Sequence, residues 1–558
     1  MSFFATHEEL LDRAQRAIAE RVYWSAYPES PSPKVWGETA APDGKAAFEA
    51  LLGHDFPLSG SGERVAPEKS PFGIDLGVRY ATTPAAELIA NASAALPAWR
   101  EAGVQTRTGV GLEILDRLKG RVFELANAVH ATTGQPFVMA FQAGGPHALD
   151  RALEAIAYAY VEMTRHPRTA TWEKLSRSSS RQGETTREAF TKSFHVVPRG
   201  IALVIGCNTF PTWNSWPGLF ASLVTGNPVI VKPHPGAVLP LAITVQIARE
   251  VLAEAGLPED VVQLAVDTRE APIASELALD PAVKIIDFTG STAYGEWLEA
   301  NARQAQVYTE KAGVNTVIVD STDDFAGMCR NLAFSLTLYS GQMCTTPQNL
   351  LIPAGGIPTE AGPKSFDEVV AGVKSAVEAI TADPAKAVEL TGAVVNDAVL
   401  ERIDAARSLG EVVLDSRALD HPAYAGATVR TPMIVSVKDG YQTECFGPVA
   451  FAIATDSTED SLTIFRKTVG EKGAITAAVY STSEAVLDEV ERAAQEVGVH
   501  LSENLTGGVF VNQSAAFSDF HASGANPAAN ASLTDGAYVA SRFRIVQSRR
   551  PVPAAPAA

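Results

Sequence analysis

Cysteine is scarce in this chain and positive charge is outnumbered. Cys207, Cys329, Cys344 and Cys445 are the only thiols in 558 residues, and none is paired at the short spacing of a zinc site or disulfide framework. A reducing compartment is expected, and reactivity rather than cross-linking becomes the question for each thiol. Lys and Arg number 45 against 64 Asp and Glu, a formal net charge of −19. The basic face that nucleic acid or an anionic membrane demands is therefore missing. No apolar run approaches the roughly 20 residues of a membrane span, and the start, Met1-Ser2-Phe3-Phe4-Ala5-Thr6-His7, leads into no apolar core. A cytoplasmic protein is the expectation. None of the ten histidines forms an HxH or HxxxH pair, so no metal is implied.

Two or three domains are expected, because a chain of this length exceeds one compact core. Apolar residues fall at helical spacing over 7–22 and 84–131, while Pro28 to Gly62, rich in Pro, Gly and charge, reads as an irregular connector. From Ser193 onward, short apolar runs at His195 to Val197, Ile201 to Ile205 and Val229 to Val231 alternate with helical stretches such as Leu239 to Ala255. That alternation marks parallel βαβ units. Ile285 to Phe288 is a further buried strand running into a turn at Gly290, and Thr316 to Asp320 is another. A second α/β unit follows, with helices near Phe366 to Thr381 and Glu484 to Glu496 and strands at Met433 to Val437 and Val449 to Ala454. Phe543 to Gln547 reads as a last strand and Pro551 onward as a loose tail.

Free cysteine is usually core filler, but the setting of Cys344 differs. It follows Gly341-Gln342-Met343 and precedes polar Thr345, Thr346 and Gln348, whereas Cys207 and Cys445 adjoin apolar strands or turns and Cys329 lies in a helix. Cys344 is the candidate nucleophile. Glu310, in Tyr308-Thr309-Glu310-Lys311-Ala312-Gly313, becomes a candidate base only jointly with that thiol. Gly290 and Ser291, at a strand-to-helix turn, could meet a dinucleotide phosphate at a helix start. Lys232, ending an apolar strand, could bind ribose hydroxyls or phosphate, with a snorkelling lysine as the plain alternative. Glu444 could hold a ribose and Phe446 pack on a nicotinamide, against the alternative of a surface turn built by Gly447 and Pro448.

Five motifs, in this order, resemble the aldehyde dehydrogenase superfamily across about Val65 to Gln547. They are Asn208-Thr209-Phe210-Pro211 with Gly226 to Pro233, Phe288-Thr289-Gly290-Ser291, the Glu310 segment, Gly341-Gln342-Met343-Cys344, and Glu444-Cys445-Phe446-Gly447-Pro448. The N-terminal segment and Thr309 to Asn315 look like the PaaN branch, associated with bacterial phenylacetic acid degradation. The resemblance implies three parts: a Rossmann-like coenzyme domain over 65–180 and 198–308, an α/β catalytic domain over 309–515, and an arm and tail over 181–197 and 516–558, behind an extension over 1–64. The arm would complete a partner's sheet in a homodimer or homotetramer.

The implied chemistry is oxidation of an aldehyde, a semialdehyde of aromatic-acid catabolism or its CoA-linked form, through a thioester on Cys344 that Glu310 helps water to hydrolyse. Asn208 would stabilise the oxyanion with the Cys344 N–H, although Thr209 stands in the slot directly before Phe210-Pro211. Lys232 and Glu444 would grip ribose, Gly290 and Ser291 the pyrophosphate. Lys311, beside Glu310, is expected to weaken it as a base. The coenzyme is NADP or NAD. NADP is favoured because Pro235 stands where NAD-preferring relatives carry an acid, leaving nothing to repel a 2′-phosphate. Two rivals are a CoA-acylating dehydrogenase and a catalytically silent assembly subunit.

Overall fold

The fold is described from a computed structural model covering residues 2–177, 185–311, 313–512, 517 and 520–552. At its centre is a five-stranded parallel sheet, in the spatial order Val262–Leu264, Val229–Lys232, Ile201–Ile205, Val283–Thr289, Gln306–Glu310. The two central apolar strands Ile201–Ile205 and Val229–Lys232 are buried along their whole length, as strands covered by helices on both faces must be. The chain leaves the middle strand in both directions, so the order reverses between Ile201–Ile205 and Val283–Thr289. Crevices for ligands open at such a switch point, beyond the carboxyl ends of the strands. Ile205 pairs with Lys232 and Phe288, and Thr289 with Glu310, so Lys232, Gly290 and Glu310 all emerge at that end.

A second sheet has seven strands, in the order Gly410–Leu414, Met433–Val437, Val449–Thr455, Asn349–Pro353, Thr316–Val319, Thr476–Tyr480, His500–Glu503. All are parallel except the antiparallel edge Gly410–Leu414. Helices such as Phe366–Ile380, which starts with a Ser365/Glu368 capping box, cover its faces. A third sheet is an antiparallel ribbon of Thr169–Arg177, Thr185–Pro198 and Phe543–Pro551. The first of these strands is absent from the sequence expectation, and residues 181–184 of the expected arm lie outside the described residues. So do residues 553–558 of the expected tail.

The segment from Pro28 to Gly62 is not the irregular connector expected. It contains helices Pro33–Trp36 and Ala40–Glu49. Ser32 caps the first with Pro33 at its opening position, and Trp36 packs edge-on between Phe123 and Phe141, both at 5.9 Å. Proline here starts a helix rather than breaking one. The extension is also no separate unit: Leu11, Ala14, Phe48 and Phe56 share one apolar core with Val204, Val231 and Leu241. The long helical stretch 84–131 divides at Gly103, whose φ of +82° only glycine adopts without strain, and again at Arg121. Among the described residues no helix is long and apolar enough to cross a membrane.

Arg542, fully buried at the base of the C-terminal strand, locks that strand to the coenzyme sheet. Its guanidinium grips Asp287 twice, at 2.6 and 2.7 Å, and also donates to Ser222 Oγ, while Tyr538 donates to the same carboxylate at 2.7 Å. Gly218 is obligatory there, since a Cβ would sit 2.5 Å from the Asp287 carboxyl carbon. Removing one partner of such a pair strands a buried charge. Arg542→Met is expected to lose about 3–5 kcal/mol in urea unfolding, with part restored by adding Asp287→Leu; a single variant as stable as the wild type contradicts the account.

Candidate active site

Cys344 sits at the end of a strained turn. Tyr339, Ser340 and Gly341 are consecutively left-handed, with φ of 52°, 49° and 62°. A side chain at 341 is excluded, because its Cβ would lie 2.4 Å from the Gly447 carbonyl oxygen. Non-glycine residues hold such angles only when surroundings over-determine them. Here Ser340 Oγ donates to the Arg430 carbonyl at 2.8 Å, and Gln342 donates to Ala393 O and accepts from Val395 N. Beyond the cysteine, the Asn315 amide donates to the carbonyls of Cys344 and Thr346 at 2.7 and 2.9 Å and accepts from the backbone of Ile475 and Thr476. The thiol is thus presented by a rigid loop clamped to the seven-stranded sheet.

Glu310 comes from the other sheet and is equally fixed. Its carbonyl accepts from Gly290 N at 3.1 Å, and its neighbour Lys311 donates its N–H to Ala528 O at 2.6 Å. The carboxylate is buried, with Asn214 Nδ2 3.3 Å from Oε2 and His521 Nε2 3.1 Å from Oε1. His521 Nε2 is also 3.9 Å from Cys344 Sγ, and the donor atoms of Glu310, Cys344 and His521 all lie within 4.8 Å of one another. No metal is implied by the sequence, and this is the one group among the described residues close enough to hold an ion.

The electrostatics follow from this packing. Burial pushes the Glu310 carboxyl up, but the His521 imidazole, hydrogen bonds from His521 and Cys344, and Arg151 outweigh it and hold the group below its usual value. Burial pushes the Cys344 thiol well above its usual value, and the neighbouring Glu310 charge adds to that. The resting pair is therefore carboxylate and thiol, a base ready to take a proton from a nucleophile. Burial also raises Cys207 to about 11, Cys329 to about 12 and Cys445 to about 11. What sets Cys344 apart from these is the adjacent base, not a low pKa. Lys311 does not touch Glu310 as expected: its ammonium pairs with Glu299 at 3.0 Å, its stem lying over Gly295.

Two clefts bear on the candidate residues. A cavity of about 440 Å³ leads to Cys344, lined by Val138, Phe210, Trp213, Asn214, Phe334 and Phe510 among others. A second, of about 740 Å³, is lined by Asn208, His234, Gly236 and Asn396. Asn208 thus faces away from the cavity of Cys344, and Thr209 spends its carbonyl on Gln135 at 2.7 Å. Of the side-chain amides that do share the thiol's cavity, Gln142, Asn214 and Asn512, it is Asn214, one helical turn beyond Phe210-Pro211, that also touches Glu310. Asn208 Oδ1 and Asn396 Oδ1 are buried at this second cleft without a hydrogen-bond partner, as acceptors waiting for a hydroxyl- or amide-bearing ligand would be.

Lys232 is buried and paired with Asp267 at 2.7 Å. Ser291 opens the ten-residue helix Thr292–Asn301 and caps it, whereas the Gly290 N–H is already committed to Glu310. Glu444 accepts from the Gly313 N–H, and burial pushes its carboxyl up to about 7, against the pull of Arg402; Phe446 lies 6.0 Å from the Arg402 guanidinium. Glu444 is near enough to raise the Cys344 thiol further.

A model of the aldehyde dehydrogenase family matches residues 78–533. The chain belongs to the aldehyde dehydrogenase family. A crystal structure of an NAD-dependent aldehyde dehydrogenase from Burkholderia multivorans is 55% identical, covers 100% of both chains and superposes with a TM-score of 0.96. The 1-pyrroline-5-carboxylate dehydrogenase 2 of Bacillus subtilis (strain 168) is 26% identical over 498 residues, 83% of this chain and 88% of the relative. The 1-pyrroline-5-carboxylate dehydrogenase of Thermus thermophilus, 20% identical, shares the fold at a TM-score of 0.72 over 95% of this chain and 99% of that one.

In this aldehyde dehydrogenase, three residues that motif reading misses stand against the candidate site residues. His521 lies 177 positions from Cys344, and no spacing rule connects them. Asp267 reaches Lys232 from the loop after another strand. Asn214 was within reach, being on the same helix face start as the Phe210-Pro211 motif. Because the Glu310 charge raises the Cys344 thiol, Glu310→Gln is expected to move the midpoint of Cys344 alkylation by iodoacetamide to lower pH while turnover falls by about 10²–10⁴-fold. Unchanged turnover, or a midpoint that rises, contradicts the assignment.

Proposed function

We propose that this dehydrogenase oxidises an uncharged-bodied aldehyde to the carboxylic acid through a thioester on Cys344. The observation that carries the reading is the contact of a buried carboxylate with the one thiol lining an apolar cavity. Glu310 takes the thiol proton, and the sulphur forms its bond to the carbonyl carbon. The new oxyanion is held by the Cys344 N–H and, in place of Asn208, by the Asn214 amide. The coenzyme, when bound, supplies the hydride acceptor. Glu310, having released its proton, then takes one from water, whose oxygen displaces the sulphur and returns Cys344 as thiol. The base in contact with the thiol favours water over CoA as acceptor, and its integrity argues against a silent subunit.

The described lining of the substrate cavity contains no Lys or Arg; away from the catalytic residues its charged groups are Glu29, Glu389 and His147. A free carboxylate on the substrate would find no cationic partner among them, an unfavourable burial. Relatives named for pyrroline-carboxylate and succinylglutamate semialdehyde therefore do not set the substrate here. Aromatic walls at Phe210, Trp213, Phe334 and Phe510 support the aromatic-acid reading, including the PaaN branch and a CoA-linked semialdehyde whose chain is uncharged near the carbonyl.

Asp267 revises the coenzyme preference. The expectation of NADP assumed that no carboxylate stands beside Lys232, and Asp267 supplies one, buried and at 2.7 Å. A 2′-phosphate brought to Lys232 meets that charge, so NAD is the coenzyme this site favours. Asn208 and Asn396, with Ser291 and Glu444, are the residues proposed to hold it. The antiparallel ribbon, which leaves Trp172, Leu175 and Val546 exposed, is proposed as the arm of a homodimer or a tetramer of dimers.

One assay tests these choices: initial rates with phenylacetaldehyde-type and carboxylate-bearing aldehydes, each with NAD and NADP, for wild type and Asp267→Asn. Expected are at least about tenfold higher kcat/KM for the uncharged aldehydes, preference for NAD, and a narrowed preference in the variant. Preference for a carboxylate-bearing aldehyde, or for NADP in the wild type, overturns the corresponding choice.

A further inference from the structure

Glu310 is a carboxylate with little else to keep it charged. Burial of an unpaired carboxylate drives it to its acid form, in which it can take no proton. Lys311, adjacent in sequence, is committed to Glu299. Arg151 is fully buried behind Trp213, over whose ring it lies at 4.7 Å, and sits 3.5 Å from Glu154. The side chains in direct contact with the carboxylate are Asn214 on Oε2, His521 on Oε1 and the Cys344 thiol. The titratable and charged groups facing Glu310 from the surrounding elements are thus His521, Cys344, Cys207 and Arg151.

The imidazole is itself rigidly held. His521 is 2% exposed, stands edge-on to Trp213 at 4.5 Å and 84°, and its carbonyl accepts from Leu533 N in a short antiparallel bridge. Its Nε2 points between two anion-forming atoms, 3.1 Å from Glu310 Oε1 and 3.9 Å from Cys344 Sγ.

We infer that His521 is the positioning residue for Glu310, holding its carboxylate turned toward Cys344 and keeping one N–H donor within reach of whichever partner carries the negative charge. This rests on the reading of Cys344 as nucleophile and Glu310 as base. The proton moves from sulphur to carboxylate, and no bond to the imidazole forms or breaks. With Nε2 protonated, the N–H is directed at the carboxylate before the transfer, Oε1 having no other donor among the described residues, and after it the same N–H faces the thiolate, so the charge is met by a donor in both states. Asn214 and His521, one on each oxygen, also fix the plane of the carboxyl group.

The test uses the full-length protein and the pH profile of kcat/KM, whose acid limb reports the free enzyme's base. His521 lowers the Glu310 pKa, so its loss raises it. In His521→Phe the acid limb is expected to move up by roughly 1 pH unit or more, whereas His521→Gln, which retains an N–H donor, shifts less and regains most of the rate. An acid limb that stays in place in His521→Phe, or a Gln variant no better than Phe, overturns the inference. Cys344→Ala is the control that separates the two readings. Activity surviving in it sinks the nucleophile assignment whatever His521 does; loss of activity there with an unmoved limb in His521→Phe sinks only the positioning role.

Discussion

The Glu310 carboxylate is in hydrogen-bonding contact with the Cys344 thiol, and each is held there by a different sheet. Burial would neutralise the carboxylate and silence the thiol if either stood alone. Together, with His521 and Asn214 on the carboxylate oxygens, they form a pair in which the acid is ionised and the thiol is not. In the proposed mechanism, nucleophile strength is created at the moment of reaction rather than stored as a thiolate open to side oxidation. The four thiols share the same burial effect, and only this one has a base in contact.

That pairing places demands on the whole architecture. The loop carrying Cys344 must accept three left-handed residues in a row and a glycine pressed against Gly447, strain that Asn315 and Gln342 offset through backbone hydrogen bonds. Glu310 must end an edge strand whose backbone is claimed by Gly290 on one side and the Ala528 to Ala529 segment on the other. The same turn that starts the helix Thr292–Asn301 therefore also fixes Glu310, the base of the proposed mechanism. Asp287 and Arg542 anchor the C-terminal strand to the same sheet.

Much of this was legible in the sequence. Alternating apolar runs and helical stretches from Ser193 onward announced parallel sheets, and the polar, glycine-led setting of Cys344 singled it out. The strand-to-helix turn at Gly290 and Ser291 is legible for the same reason, and the structure places Ser291 as the cap of the helix Thr292–Asn301. Contacts closed only by tertiary folding were not. His521 meets Glu310 across the chain, Lys311 turns to Glu299 although it adjoins Glu310, and Asp267 brings to Lys232 a carboxylate that its sequence neighbours lack. Asn208 lines the second cleft, a placement its motif does not reveal. Pro28 to Gly62 misled because composition does not reveal that Ser32 and Pro33 begin a helix.

The most direct measurement is acid quench of a single turnover of Glu310→Gln with aldehyde and coenzyme, followed by peptide mass mapping. The account predicts that acylation is about 10²–10⁴-fold slower than in the wild type, because Cys344 has lost the base that takes its proton, and that whatever acyl group forms is a thioester on Cys344. Reduced coenzyme formed without an acyl group on Cys344, or an acyl group on Cys207, Cys329 or Cys445, would contradict it.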